Sequence, residues 1–437
     1  MTSDNSSPAA SRQWRNWGGN QRSVAKDVLT PGTVDEVAAL VKESSATGHK
    51  VKAVGSGHSF TDIAVADDRR LLLHRLGELV AIDGELVTVQ AGMPLHQLNR
   101  ILAENGLAMP NLGDIDHQTV AGAISTGTHG SGRSHSTLAS FVEAVTLVTG
   151  TGTVERIDAS SPLFAAARLG IGALGILVDV TLRCVPAFTL LADERPLSLT
   201  EVLACLDEEI AGNDHLEFFW YPYTDRAQLK RNNKVPASDR PLSAFRGWLD
   251  DEFLANTVFA GVCRLGRAIP AAVPTINAVS ARALAARTYT DRSDRVFCSS
   301  RRVRFTEMEY AIPRETLPEV LSALPRIIEK LPFKVQFPVE VRFTGPDDAW
   351  LSHSYGRESA YIAVHQFNGT PYEPYFRAVE ALCEPLGGRP HWGKLHYRDA
   401  ESLRRAYPKF DDFRAARDQL DPGRIFTNAY LDRVLGA

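Results

Sequence analysis

The chain has 437 residues, 44% hydrophobic and 23% charged, with a formal net charge of −4. This ordinary globular composition suits roughly two or three domains and excludes whole-chain disorder, a collagen-like repeat and a coiled coil. The mildly acidic balance lacks the positive field a duplex binder needs, so no nucleic-acid partner is expected.

Residues 1–12 are polar and Ser/Ala-rich, without the apolar run of a signal peptide, and are expected to form a disordered leader. No run approaches the ~18 apolar residues of a spanning helix, so no transmembrane segment is expected. Thr33 and Glu36 have capping-box spacing and predict a helix with Val34, Val37 and Val41 on one face, stopped at Gly48. A strand follows over 50–54 and runs into Gly55-Ser56-Gly57-His58-Ser59-Phe60. Another strand is predicted over 86–91. Leu95, Leu98, Ile101 and Leu102 then mark a second helix, ended by Gly106. β-rich runs at 142–149 and 175–184 complete an α+β domain over 13–186.

The second domain, 187–437, is expected to hold strands at 216–221, 301–305, 335–343 and 360–366. Helices are expected at 199–209, 317–331 and 372–384. Residues 227–254 are mixed in pattern, and the aromatic run 218–221 reads as core. The basic run Arg301, Arg302 and Arg304 is expected to face solvent. Cys184, Cys205, Cys263, Cys298 and Cys383 are scattered without a CxxC. Neither a disulfide framework nor a metal site is expected, and the location is read as cytoplasmic.

Three segments carry chemistry. The turn Gly55–Ser59 can aim backbone N–H groups into a phosphate-holding concavity, although the same residues also describe an ordinary tight turn. It lacks the lysine of a Walker loop and the third glycine of the dinucleotide fingerprint. Between Thr119 and Gly132 small residues dominate, too glycine-rich for a good helix. They suit backbone lying against a flat, phosphate-bearing ligand, or a tightly packed loop. Glu340 and Arg342 are two apart in a β-branched run, so both point to one face of a strand. There they could grip a polyol or form a solvated ion pair.

These motifs resemble the vanillyl-alcohol-oxidase superfamily, and within it the sugar-lactone branch, with alditol oxidases as near relatives. Val54–Phe60, Asn111–Asp114 and Ser125–Gly130 carry the likeness, with Phe305–Tyr310, Val339–Phe343 and His391–Lys394. The resemblance implies an N-terminal FAD-binding domain and a C-terminal α+β substrate (cap) domain whose last ~40 residues pack back on the first. It implies that Gly55, Ser56, Gly57, His58 and Ser59 cradle FAD, and that His58 carries it covalently. Gly113, Gly122, Ser125, Thr126, Thr128, His129 and His391 would also hold the cofactor, with Ile176 near its adenine end. Glu340, Arg342, Lys394 and His365 would serve the substrate. The implied reaction is oxidation of a lactone's secondary alcohol by hydride transfer to flavin N5, with O2 or another acceptor taking the electrons. An alditol oxidase, or a flavin-binding redox sensor without turnover, are the alternatives. His117, His135 and His396 are read as having no functional role.

Overall fold

A computed structural model describes residues 12–236, 253, 254 and 256–437. The expected leader, but for Arg12, and residues 237–252 of the mixed segment lie outside the described residues.

The first helix, Val34–Thr47, forms as its cap predicts: the Glu36 amide donates to Thr33 Oγ1 at 3.2 Å, and Gly48 ends it at φ 75°. The helix leads from the strand Asp27–Leu29 toward Val51–Ala53. Both pair in parallel with Arg69–Leu71 between them. A five-stranded antiparallel sheet follows, in the order Val154–Asp158, Val142–Val148, Ile176–Arg183, Leu86–Gln90, Leu79–Asp83. Leu95, Leu98 and Leu102 of the helix Leu95–Glu104 pack in its core. The same core takes Leu403, Phe410, Phe413, Tyr430 and Leu431 from three C-terminal helices, Ala400–Ala406, Phe410–Leu420 and Ala429–Leu435.

Past Pro186 the chain enters an eight-stranded antiparallel sheet. Its order is Arg287–Arg292, Thr189–Ser198, Arg226–Val235, His215–Tyr221, Val339–Thr344, Ser359–Phe367, Phe305–Pro313, Arg389–Pro390. One face is apolar: Phe218, Trp220, Val341, Ile362, Val364, Met308 and Tyr310 lie under the helices Leu317–Lys330 and Glu373–Cys383. Alternation puts the intervening residues, many of them charged, on the other face, which meets the first half of the chain. Gly132 N donates to Phe343 O at 2.7 Å across that junction.

Some expectations shift. The strand placed at 301–305 begins only at Phe305 and runs to Pro313. The helix expected over 199–209 is two, Leu199–Ala204 and Leu206–Gly212. Residues 120–125, read as too small and glycine-rich for a helix, form one. The Gly122 amide donates to Thr119 Oγ1 at 3.2 Å, and Val120, Ala123 and Ile124 are buried, so the cap and tertiary packing outweigh propensity. Among the described residues no helix is long and apolar enough to cross a membrane.

Candidate active site

Two neighbouring regions make the site. The first is a cavity of about 380 Å³ whose walls include Gly55–Ser59, Gly122, Ser125 and Thr126 on one side and Gly172, Gly175 and Leu177 on another. Gly57 sits at φ 72°, the left-handed region open to glycine, and so turns His58 back toward the cavity. A Cβ on Gly55 would stand 2.6 Å from Thr119 Oγ1. Side chains are thus kept out where the glycine turn meets the capped turn at Thr119, as a phosphate-bearing dinucleotide requires.

Ile176 does not face this cavity. Its side chain packs with Val37 and Val41 in the core, while its neighbours Gly175 and Leu177 line the wall. Lys52, also on the wall, donates to Gly172 O and Phe426 O at 3.2 and 3.3 Å. Burial, with Arg417 nearby, brings its pKa down to about 7.

The second region is the charged face of the large sheet. Register places Arg287, Glu194, Lys230, Glu217, Arg342 and Tyr361 in one row across six strands. Arg287 pairs with Glu194 at 2.8 Å, Lys230 with Glu217 at 2.6 Å, and Glu217 with Arg342 at 3.1 Å. Glu340 lies against Arg342 on the same strand, and Asp114 lies 3.7 Å from it. Burial works against the Arg342 charge, but these carboxylates hold its pKa well above the usual value. Burial raises Glu340, as do Asp114 and Glu217, against the pull of Arg342.

Beside this row, Glu307 is directly opposite His365. One Glu307 oxygen lies 2.5 Å from Lys394 Nζ and the other 3.4 Å from His365 Nε2. Burial alone would raise Glu307; Lys394 and His365 outweigh it and bring it to about 2. His129 reaches Glu309 at 3.3 Å, and its carbonyl accepts from Arg342 at 3.5 Å. His391 stacks on His353, ring centroids 4.7 Å apart. Gly113 adjoins this group, its Cβ direction meeting the His129 carbonyl and the Thr128 methyl at 3.2 Å. Thr128 itself is hydrogen-bonded to Gln118, a cavity residue.

The turn bearing Lys394 is tied to the glycine loop: Phe60 N donates to Gly393 O at 2.7 Å, and Thr61 Oγ1 to Trp392 O at 3.1 Å. His58 stacks between Trp17 and His117, with centroids at 5.8 and 6.3 Å. Burial first, then His117 and Lys394, lowers its pKa to about 4, so the ring is neutral and nucleophilic near neutral pH.

Glu340, Arg342, Lys394, His365, His129 and His391 therefore meet as one polar group beside the cavity. Sequence reading missed Asp114, Glu217, Lys230, Glu307 and Glu309. Glu307 and Glu309 lay in a motif already singled out, Phe305–Tyr310, and its alternating carboxylates were the available signal. One residue is corrected: His117 stacks against His58, a cavity residue. Arg301 is exposed as expected, and its guanidinium also pairs with Asp114 at 2.7 Å.

A family model described as FAD binding domain matches residues 25–158, and one described as D-arabinono-1,4-lactone oxidase matches 180–434. The chain is 41% identical to an L-gulono-1,4-lactone dehydrogenase of Mycobacterium tuberculosis, over 97% of this chain and 99% of that protein. It is 33% identical to the L-gulonolactone oxidase of Bos taurus, over 97% and 98%. An alditol oxidase of a Streptomyces species is 32% identical, over 96% and 98%. The crystal structure of cholesterol oxidase from B. sterolicum superimposes with a TM-score of 0.84 at 18% identity, covering 100% of this chain and 99% of that one, a likeness of fold.

Proposed function

The chain belongs to the D-arabinono-1,4-lactone oxidase family of FAD-dependent oxidoreductases, and from that membership we propose the reaction that its own side chains serve. It oxidises a sugar lactone of the L-gulono-1,4-lactone or D-arabinono-1,4-lactone type at the secondary alcohol beside the carbonyl, giving an ascorbate-like product. The observation that carries this reading is the meeting of Glu340, Arg342, Lys394, Glu307 and His365 on one face. Carboxylates there accept hydroxyl hydrogens, and two fixed cations face the oxygens of a polyol ring.

FAD, held by residues 55–59, Gly122, Ser125 and Thr126, supplies the hydride acceptor when bound. Arg342 and Lys394 hold the substrate oxygen and the negative charge it gains, and Glu340 fixes the neighbouring hydroxyls. His365, held by Glu307, faces the same group. O2 or another electron acceptor is the proposed second substrate. All five cysteines are free, which suits the reducing cytoplasm we propose as its location.

Steady-state rates decide the substrate: turnover is expected on L-gulono-1,4-lactone, and activity confined to xylitol would overturn the lactone reading in favour of an alditol oxidase. Reduction of the flavin by neither would leave a redox sensor. The neutral, stacked His58 supports covalent attachment of FAD at that residue. Acid precipitation of the purified protein should then give a yellow pellet, whereas a colourless pellet under a yellow supernatant means the cofactor is held without the bond.

A further inference from the structure

We propose that His96, Asp116 and His117 form a binding site for one divalent transition-metal ion at the rim of the cofactor cavity. Each offers one ligand atom, and these atoms all lie within 4.8 Å of one another. The ligands come from two segments, the first turn of the helix Leu95–Glu104 and the loop after Asp114. Their separation of about 20 residues is why no ligand spacing was visible in the sequence.

Backbone hydrogen bonds lock the two segments together. His96 N donates to Asp116 O, and Leu95 N to Gln118 O, both at 2.8 Å. A β-bridge joins Pro94 to Thr119. The site is therefore assembled before any ion arrives, which lowers the cost of binding. His96 Nδ1 lies 3.2 Å from the Asp116 carbonyl. Donation there fixes the tautomer and leaves Nε2 as the lone-pair atom, the usual outer-shell arrangement of a metal-binding histidine. Among the described residues the Asp116 carboxylate has no ion pair or hydrogen bond, in a region where Asp114 is matched with Arg301 and Arg342. It is open to a cation.

Two imidazoles and one carboxylate select a borderline ion such as Zn²⁺, Ni²⁺ or Cu²⁺ over Mg²⁺ or Ca²⁺, which prefer all-oxygen shells. With three protein ligands on a solvent-exposed rim, coordination positions remain open and the ion exchanges. His117 also stacks on His58, so the ion's charge lies one ring from the cofactor-facing histidine and favours the electron-rich reduced flavin. The site thus couples metal availability to the flavin's reduction potential.

Calorimetric titration of chelator-treated holoenzyme with Zn²⁺ is the test. One saturable site per chain is expected, weakened at least tenfold in His96→Ala, Asp116→Asn and His117→Ala. His49→Ala, which removes a histidine paired with Asp68 at 3.1 Å elsewhere on the surface, should keep it. An unchanged 450 nm flavin band certifies each variant as folded. The flavin midpoint potential should rise with Zn²⁺ in the wild type and stay fixed in Asp116→Asn. Absence of a saturable site, or equal binding in all variants, overturns the metal site. Binding without a shift in potential overturns the coupling. Neither result depends on which lactone is turned over.

Discussion

Lys394 keeps its charge in a largely buried position because Glu307 stands 2.5 Å away, with Glu309 behind it. Burial lowers its pKa, but the two carboxylates more than offset that and hold it above the ordinary lysine value. Glu307→Gln removes the closest of them, so the lysine should lose its proton at lower pH. We expect the alkaline limb of the kcat/KM profile to move to lower pH in that variant, with the flavin spectrum intact; an unmoved limb would separate Glu307 from the lysine's titration. The contrast with Arg342 shows what a sequence reader can see. Glu340 and Arg342 share a strand, and a spacing of two in a β-branched run reports a common face. Glu307 reaches Lys394 and His365 only through the fold, and Glu217 reaches Arg342 across paired strands 125 positions apart, so no local pattern announces either.

At the scale of elements, the large sheet divides its labour by alternation. Phe218 and Trp220 enter the apolar core, while Glu217 points to the opposite face and joins the charged row. The helix Leu317–Lys330 seals the apolar side with Leu317, Val320, Leu321, Leu324 and Ile328. Its 3/4 spacing made it legible in advance. Leu324→Ala opens a cavity there and should cost about 2–5 kcal/mol in urea unfolding while leaving lactone turnover of the folded protein intact. A loss of turnover without loss of stability would contradict the separation of the two faces. The short turn Val120–Ser125 was harder to read, because its cap and its packing act against a poor intrinsic propensity.

For the whole molecule, neutral histidines, buried or half-buried, set the acid limit. His58 and His135 are lowered to about 4, and His353, His391 and His396 lie well below the usual value, burial being the leading cause in each. As pH falls below about 6.5 the unfolded chain takes up protons that the folded chain refuses, so stability is full above that value and falls toward 4. Glu307 adds a second loss only below its ordinary carboxylate range, as pH approaches about 2. The thermal midpoint should therefore drop steadily between pH 7 and 5 (approximate bounds of the histidine window), and a flat midpoint there would refute this origin of acid lability. The order of the strands, and with it the joining of the lysine turn to the glycine loop through Gly393 and Phe60, depends on long-range pairing that sequence periodicity does not encode.

The row from Arg287 to Arg342, completed by Glu340, alternates in sign along its length and contains as many cations as anions. Charge is therefore intense at the distance of a hydrogen bond and nearly cancelled a Debye length away. An uncharged lactone approaching such a face meets no long-range pull, and dissolved salt has little field to screen. Association is left to diffusion and to shape, and selectivity to the last few ångströms.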